Sequence, residues 1–571
     1  MNTFYKEELK ALRQGSADFA RKYPSLAPML ASSSTDPDVE RILEGTAYLC
    51  ARIHERLSRN APQLLQNLLR LTFPQALLPL PSMTMIRFRP RQGFNETLFI
   101  PRGARLAARP SAGVACQYST DHDLLLLPAR VAAVRSEPPS GTPHVRVTLT
   151  LRGAHFTGPA AKEPLILHLA GPYALAAQRF FVLLRQLERV EVNIGGRTHI
   201  LPASCLRQHF FPLLDPRIPT NRARNRAYMA VTRFFYLPEQ LLFLRLDGLE
   251  SLPAADAADI TFCLGRPLER IPEFGPDSFA LGVVSASNVF TTFAEPLTID
   301  HTQVEYPLRP QNDDAENLEI LNFASVTGLF PGSRVEQYLP YEFTKPGDTE
   351  YIYSKRFLPT DDPARTEYWI TPLYAASGGV DALQKHSLSV ELICSNRIRH
   401  NALQAGDICL PTDSSPAQAV FENITAPTAM QPRPQKDLQL WLYLSHRSAN
   451  LLPQASAELL QAMLKLYIYD NTASPEIIAI NTRRCASILT FECREEDRLI
   501  RGRLYRGWRL HLVLEPSGFA SIGDLFLFGC TLDRFCGEFS AINNYTRLCM
   551  DIAGTGDRLE WPLRMGDRQV E

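Results

Sequence analysis

Glycine, histidine, cysteine and paired carboxylates are the residues that would carry chemistry in this chain, and their spacing speaks against it. A phosphate loop needs glycines and a lysine together, so that backbone amides and a cation surround the anion. No Gly-x4-Gly-Lys-Ser/Thr occurs, and no Gly-x-Ser-x-Gly or His-Glu-x-x-His. Gly378-Gly379 lacks a following lysine and reads as a turn. The 12 histidines are dispersed. His54 stands four residues after Cys50, but one helical pair leaves a metal two ligands short, so a packing or interface role is expected. His446 reads as a backbone hydrogen-bonding residue. Adjacent acids occur at Asp313-Asp314, Asp361-Asp362 and Glu495-Glu496-Asp497. Glycosidic chemistry needs two carboxylates facing each other across a bond, whereas neighbours in sequence diverge, so these read as solvated loop charge. Tyr351, Tyr353, Phe357, Tyr368 and Trp369 interleave with Lys355, Arg356 and Arg365. That pattern suits a stacking surface for single strands, but also a sheet core with exposed bases. The sheet, or a protein interface, is expected. Neither a catalytic site, a metal nor a cofactor is expected.

Composition supports this. The 571 residues carry 60 basic and 60 acidic side chains, a formal net charge of zero, which disfavours nucleic acid held by a broad basic field. Length alone implies several domains. The 44 prolines are scattered and mark many turns. The 11 cysteines show no framework spacing and read as reduced core thiols, Cys530 and Cys536 included. No apolar run reaches the ~18 residues of a membrane span, so no direct membrane insertion is expected. No signal peptide is visible at the polar N-terminus, and a cytoplasmic location is expected.

The elements that would position a functional surface are clearest at the N-terminus. Tyr5, Leu9, Leu12 and Phe19 mark one apolar stripe, with Phe4 beside them. Asp36-Pro37-Asp38 restarts a helix: Asp36 suits the N-cap, Pro37 the first turn, and Asp38 and Glu40 the positive end of the dipole. Val39, Ile42, Leu43, Leu49, Cys50, Ile53 and Leu57 follow at helical spacing. The pair predicts a helical hairpin whose apolar face, at Tyr5, Leu9, Leu12, Phe19, Val39, Ile42, Leu49, Ile53 and Leu57, is offered to other chains.

Beyond it, Val145 to Arg152 alternates as a half-buried strand, and Val190–Ile194, Gly195-Gly196 and Arg197–Leu201 read as a hairpin. Leu175 to Leu187 reads as a helix. Leu388 to Cys394 and Leu510 to Leu514 read as strands. The proline-rich stretch Thr425 to Pro434 suggests a boundary, followed by helices over Leu438–Leu452 and Ala455–Leu466. A last helix over Ile522–Phe539, apolar on most sides, lies before a strand at Tyr545–Met550 and reads as buried core. The expected class is α+β and multidomain: predominantly β modules, an N-terminal helical hairpin and an α+β C-terminal domain. The expected divisions are 1–80, 81–300, 301–425 and 426–571.

Several stretches share the wording of a known family. Tyr5-Lys6-Glu7-Glu8-Leu9, Asp36-Pro37-Asp38-Val39-Glu40-Arg41 and Ala51-Arg52-Ile53 resemble the start of the TssF (VasA, ImpG) family of type VI secretion baseplate subunits. Ile100 to Leu106 with Tyr118-Ser119-Thr120, Asn288-Val289-Phe290, Glu305 to Leu308, Ser395-Asn396-Arg397, Leu444-Ser445-His446 and Phe526 to Gly529 continue the match in order. Ala104 stands where the family often has Thr, and the surroundings of Ser287 and Ser325 differ. The resemblance implies a structural wedge subunit that supports tail sheath assembly. It implies partners: a TssG-like subunit, a second copy of this chain, a TssK-like adaptor, and other baseplate and spike components. The alternatives are a phage-type tail baseplate wedge protein and, in another class, a β-rich carbohydrate-processing enzyme.

Overall fold

The computed structural model describes residues 2–23, 37–110, 115–137, 145–159, 161, 163–212, 217, 226–265, 272–311, 317–344, 351–359, 366–374, 384–433, 437–448, 452, 455–469, 475–500 and 502–566. Its helices are α1 (Asn2–Lys22), α2 (Pro37–Thr72), α3 (Tyr173–Arg185), α4 (Arg226–Tyr236), α5 (Asp437–Ser448), α6 (Ala457–Lys465), α7 (Pro475–Ala486) and α8 (Ile522–Gly537). The fold is mixed, with several antiparallel sheets beside these helices, as the composition of strands and helices in the sequence implies.

The chain divides into two compact units. One joins Met1–Leu77 to Pro434–Ser448, and the other holds Leu78–Arg433 and Ala449–Glu571. α5 therefore groups with the N-terminal helices, although it stands in the segment expected to form the C-terminal domain. The sheets likewise cross the expected divisions. One six-stranded sheet takes strands Met83–Pro90, Arg105–Ala108, Gln117–Thr120 and Val283–Ser287, and adds Ile408–Pro411 and Ala419–Asn423 from far along the chain.

Alternation explains the strands. Val147, Leu149 and Leu151 are buried while their neighbours are not, because successive side chains of a strand face opposite ways. The Leu187–Ile194 and Arg197–Pro202 strands pair with Ile194 opposite Arg197. Their turn holds Gly195 and Gly196 at φ of +57° and +84°, which strains a residue with a Cβ. Two sheets between Phe290 and Ser395 share a core containing Ile320, Phe323, Tyr351, Tyr353, Phe357, Tyr368 and Leu392. Four of the five aromatics are thus sheet core, while Trp369 is half-buried on the other face of its strand. Lys355 Nζ donates to Asn322 Oδ1 at 2.8 Å, and Arg356 pairs with Glu305 at 3.0 Å. Arg365 lies outside the described residues, as do Asp313-Asp314, Asp361-Asp362 and Gly378-Gly379.

A buried polar knot ties this sandwich to the six-stranded sheet. Asn288 Nδ2 donates to the Gln117 carbonyl (2.8 Å) and to Asn396 Oδ1 (2.9 Å), and Asn288 Oδ1 accepts from Ser395 Oγ (2.6 Å) and the Asn396 amide (2.7 Å). Asn288, Ser395 and Asn396 are buried and their bonds are met inside the protein, the condition under which a buried amide is tolerated. Ser287 Oγ donates to Asp121 Oδ1 beside it (2.8 Å). Arg433 closes the proline-rich stretch over the Phe357 ring, 3.9 Å from its centroid, with Nη2 on the Ile320 carbonyl at 2.7 Å.

α8 connects two parallel strands, Arg503–Leu514 and Tyr545–Ile552, as a crossover must. It packs on the second of them, and also between α3 and α4. Phe526 meets Phe181 (5.4 Å between centroids) and Trp561 (5.6 Å), and Phe528 meets Phe234 (5.4 Å). A Cβ on Gly523 would overlap the Ala177 carbonyl, so α3 and α8 touch through backbone. Ser521 caps the helix by accepting from the Asp524 amide at 3.1 Å. Asp524 is buried but fully engaged: Arg484 Nη2 donates to both its oxygens (2.8 and 2.9 Å) and Tyr173 Oη to one (2.6 Å).

Candidate partner interface

The functional surface favoured by the sequence lies in the helical unit. α1 and α2 pack together, and Arg13 Nη2 meets Glu40 Oε2 at 2.8 Å between them. Ala47 and Ala51 are buried, one turn apart on α2. Their small side chains fit the inner face of a helix pair. Leu69 near the end of α2 and Phe73 just after it are buried, and the Phe73 ring meets Tyr443 of α5 edge-on at 6.0 Å. Leu440 and Tyr443 form the buried side of α5.

The apolar surface of α2 continues round the helix from that side, and there it is open. Ile42 is 69% exposed and Leu49 62%, seven residues apart and about 140–160° around the helix from Ala47. Leu64 (62%), Leu68 (40%) and Leu71 (53%) repeat the pattern beyond Pro62, which stands inside the helix, where it removes one backbone hydrogen bond. On α5, Trp441 is 55% exposed. A soluble helix normally carries one apolar stripe facing its core. That of α2 is broad, and within the described residues only its side at Ala47, Ala51 and Leu69 is covered.

The nine expected interface residues therefore separate. Tyr5, Leu9 and Leu12 are half-buried on α1, whereas Phe19 is exposed and lies 5.1 Å from the Tyr23 ring. Ile42 and Leu49 are open. Val39, Ile53 and Leu57 lie on α2, but their side chains fall outside the described residues, as do those of His54 and His446. Leu64, Leu68, Leu71 and Trp441 escaped the reading. The three leucines were legible as an i, i+4, i+7 series. The place of Trp441 was not, because α5 joins this unit only through the fold.

Elsewhere the candidate chemistry is spent on structure. Glu495, Glu496 and Asp497 lie on the strand Ile488–Ile500, not on a loop; Glu496 pairs with Arg498, and Asp497 lies 3.6 Å from Arg506. His511 Nε2 and Asp551 Oδ2 are 2.8 Å apart, but Arg558 also grips that carboxylate at 2.7 and 2.9 Å and holds its pKa below the usual range. Burial lowers the pKa of His168 and His400 to about 4, so both are neutral acceptors or donors near pH 7. The Met430 amide donates to His400 Nε2 at 3.1 Å. Burial also raises the Cys530 thiol to about 12, consistent with an unreactive core cysteine. Among the described residues no three His, Cys, Asp or Glu side chains cluster as a metal site, and no helix is long and apolar enough to cross a membrane.

Three comparisons bear on this arrangement. A curated relative, the type VI secretion system component TssF1 of Pseudomonas aeruginosa, is 26% identical over 99% of this chain and 98% of its own. A chain in the cryo-electron microscopy structure of a type VI secretion TssK-TssF-TssG baseplate subcomplex shares the fold, with a TM-score of 0.78 and 23% identity over 92% of this chain and 98% of that one. A chain of a type VI secretion baseplate complex matches over 100% of both chains, with a TM-score of 0.66 and 20% identity. The family model described as "Type VI secretion system, TssF" matches residues 1–568, and the chain accordingly belongs to the TssF family.

Proposed function

We propose that this chain is a structural subunit of the type VI secretion baseplate wedge, acting by assembly and not by catalysis. The observation that carries the reading is the uncovered side of the apolar stripe of α2, open at Ile42, Leu49, Leu64, Leu68 and Leu71. In this reading the stripe, with Tyr5, Leu9, Leu12, Phe19, Val39, Ile53 and Leu57, enters a helical bundle shared with a TssG-like subunit and a second copy of the chain. One solved neighbour is a chain of a TssK-TssF-TssG subcomplex, which supports the TssG-like partner. A TssK-like adaptor and spike components then join the wedge, and closed wedges support sheath assembly. The complex works in the cytoplasm, held at the envelope by the rest of the apparatus.

Burying each large side chain of the stripe stabilises association by ~1.5–3 kcal/mol, so two buried aspartates are intolerable there. The variant Ile42→Asp with Leu49→Asp, co-expressed with a TssG-like partner, is expected to lose co-purification while its thermal melt stays that of the parent. Retained co-purification overturns the reading.

A further inference from the structure

The strand Ile488–Ile500 is the end of its sheet. It pairs with Arg503–Leu514 on one side and, among the described residues, with no strand on the other. α6 and α7 pack on it, and Ile488 and Phe491 are buried at that end. The ribbon then runs past the third strand, which begins opposite Gly507. Leu499 (73% exposed) and Leu504 (71%) face each other at its tip.

Ladder geometry fixes which backbone groups are open. A two-residue turn makes Ile500 and Arg503 a hydrogen-bonded pair, and such pairs alternate along an antiparallel ladder. Glu492, Arg494, Glu496 and Arg498 therefore turn their amides and carbonyls inward. Tyr545 Oη, which reaches the Glu496 carbonyl at 3.0 Å from the sheet side, agrees. Phe491, Cys493, Glu495, Asp497 and Leu499 turn theirs to the open edge. Proteins normally blunt such an edge with proline, lysine or brevity. This strand spans 13 residues and contains neither proline nor lysine.

Its even-numbered side chains read Glu492, Arg494, Glu496, Arg498, alternating in sign on one face. Arg494 meets Glu492 along the strand at 3.0 Å, and Arg498 meets Glu496. An alternating row of this kind is its own complement when turned about a two-fold axis.

We propose that this edge pairs antiparallel with the same edge of a second copy of the chain, the axis passing through Glu495. Glu492 then faces Arg498 of the second copy and Arg494 faces Glu496, four opposite-charge pairs in all. A slip of two residues either way sets Arg494 against Arg498 or Glu492 against Glu496, so charge selects one register. On the other face Leu499 comes opposite Phe491, whose ring is already buried, Cys493 meets Asp497, and Glu495 meets itself at the axis. That like pair, with the small area of nine paired residues, makes the dimer weak in isolation.

The test is sedimentation of the full chain over a range of concentrations, with variants of opposite sign. Arg494→Glu with Arg498→Glu makes the row wholly acidic, and Glu492→Arg with Glu496→Arg makes it wholly basic. Each alone is expected to associate at least about tenfold more weakly than the parent, and an equimolar mixture to associate at least as well. Glu495→Gln, which removes only the like pair, is expected to tighten the parent dimer several-fold. A parent that stays monomeric, a variant that self-associates like the parent, or a mixture of melt-competent variants that stays apart overturns the proposal; should the charge variants melt early, an unchanged Glu495→Gln dimer does so. The pair Ile42→Asp and Leu49→Asp leaves this association intact, which separates it from the helical bundle.

Discussion

α2 and α8 are both rich in apolar residues, and their fates differ. α8 is covered almost all round: Leu525, Leu527, Phe528, Leu532, Phe535 and Cys536 are each at most 1% exposed. α2 buries Ala47, Ala51 and Leu69 on one face and leaves Ile42, Leu49, Leu64 and Leu71 more than half open on the other. α8 is the more apolar of the two, since α2 carries charges such as Glu40, Arg41, Glu44 and Arg52 among its apolar residues, but content alone does not say which faces are covered. The surroundings do. α8 crosses between two strands of one sheet and receives α3 and α4 on its outer side. Among the described residues α2 packs mainly on α1, α5 and the turn Pro74–Leu77, which leaves part of its circumference uncovered. An enclosed helix stabilises its own chain; a half-covered one leaves apolar surface open, as the proposed bundle requires.

That contrast breaks most visibly at α8. Phe528→Ala or Phe535→Ala removes an enclosed ring and leaves a cavity, and should cost about 3–5 kcal/mol. Thermal melting of the isolated chain measures it. An unchanged melt would mean that α8 too is an interface.

A smaller effect separates buried from open groups by pH. The imidazoles of His168 and His400 have pKa values near 4 in the folded chain, against an ordinary value of 6.5. The unfolded chain therefore takes up these protons first. Their contribution is complete above about pH 6.5 and is lost as pH falls toward 4, on the order of 2–3 kcal/mol each. Denaturant midpoints from pH 7 to 4.5 should fall steeply for the parent and less for His168→Gln with His400→Gln. Parallel curves would remove these two histidines from the account.

The smallest effect is expected on the open face. Ile42→Ala and Leu49→Ala should each change the melt of the isolated chain by less than ~0.5 kcal/mol, since exposed side chains leave no cavity. A loss of 2 kcal/mol or more from either would show that the stripe supports its own unit.

Much of this was legible locally. The hairpin at Gly195-Gly196 follows from glycine's access to positive φ, and the alternating strand from Val145 follows from the two-fold period of a strand. The apolar circumference of α8 announced its burial, and the period of Ile42 and Leu49 announced a helix with a face to cover. Family membership was legible too, because short motifs recur in order from Tyr5 to Gly529.

What the sequence determined by itself was therefore each element and the chemical character of its faces, because period and turn residues act over a few positions. Only the tertiary structure decided which faces met. It set α5 beside Phe73, placed Ile408–Pro411 and Ala419–Asn423 in the sheet begun by Met83–Pro90, and gathered Gln117, Asn288, Ser395 and Asn396 into one polar knot. It also put Glu495-Glu496-Asp497 on an open strand edge and not on a loop. All of these but the last join residues more than a hundred positions apart, and a hydrophobic or polar face is satisfied equally by any partner of matching shape. Local pattern cannot choose among such partners; packing of the whole chain does.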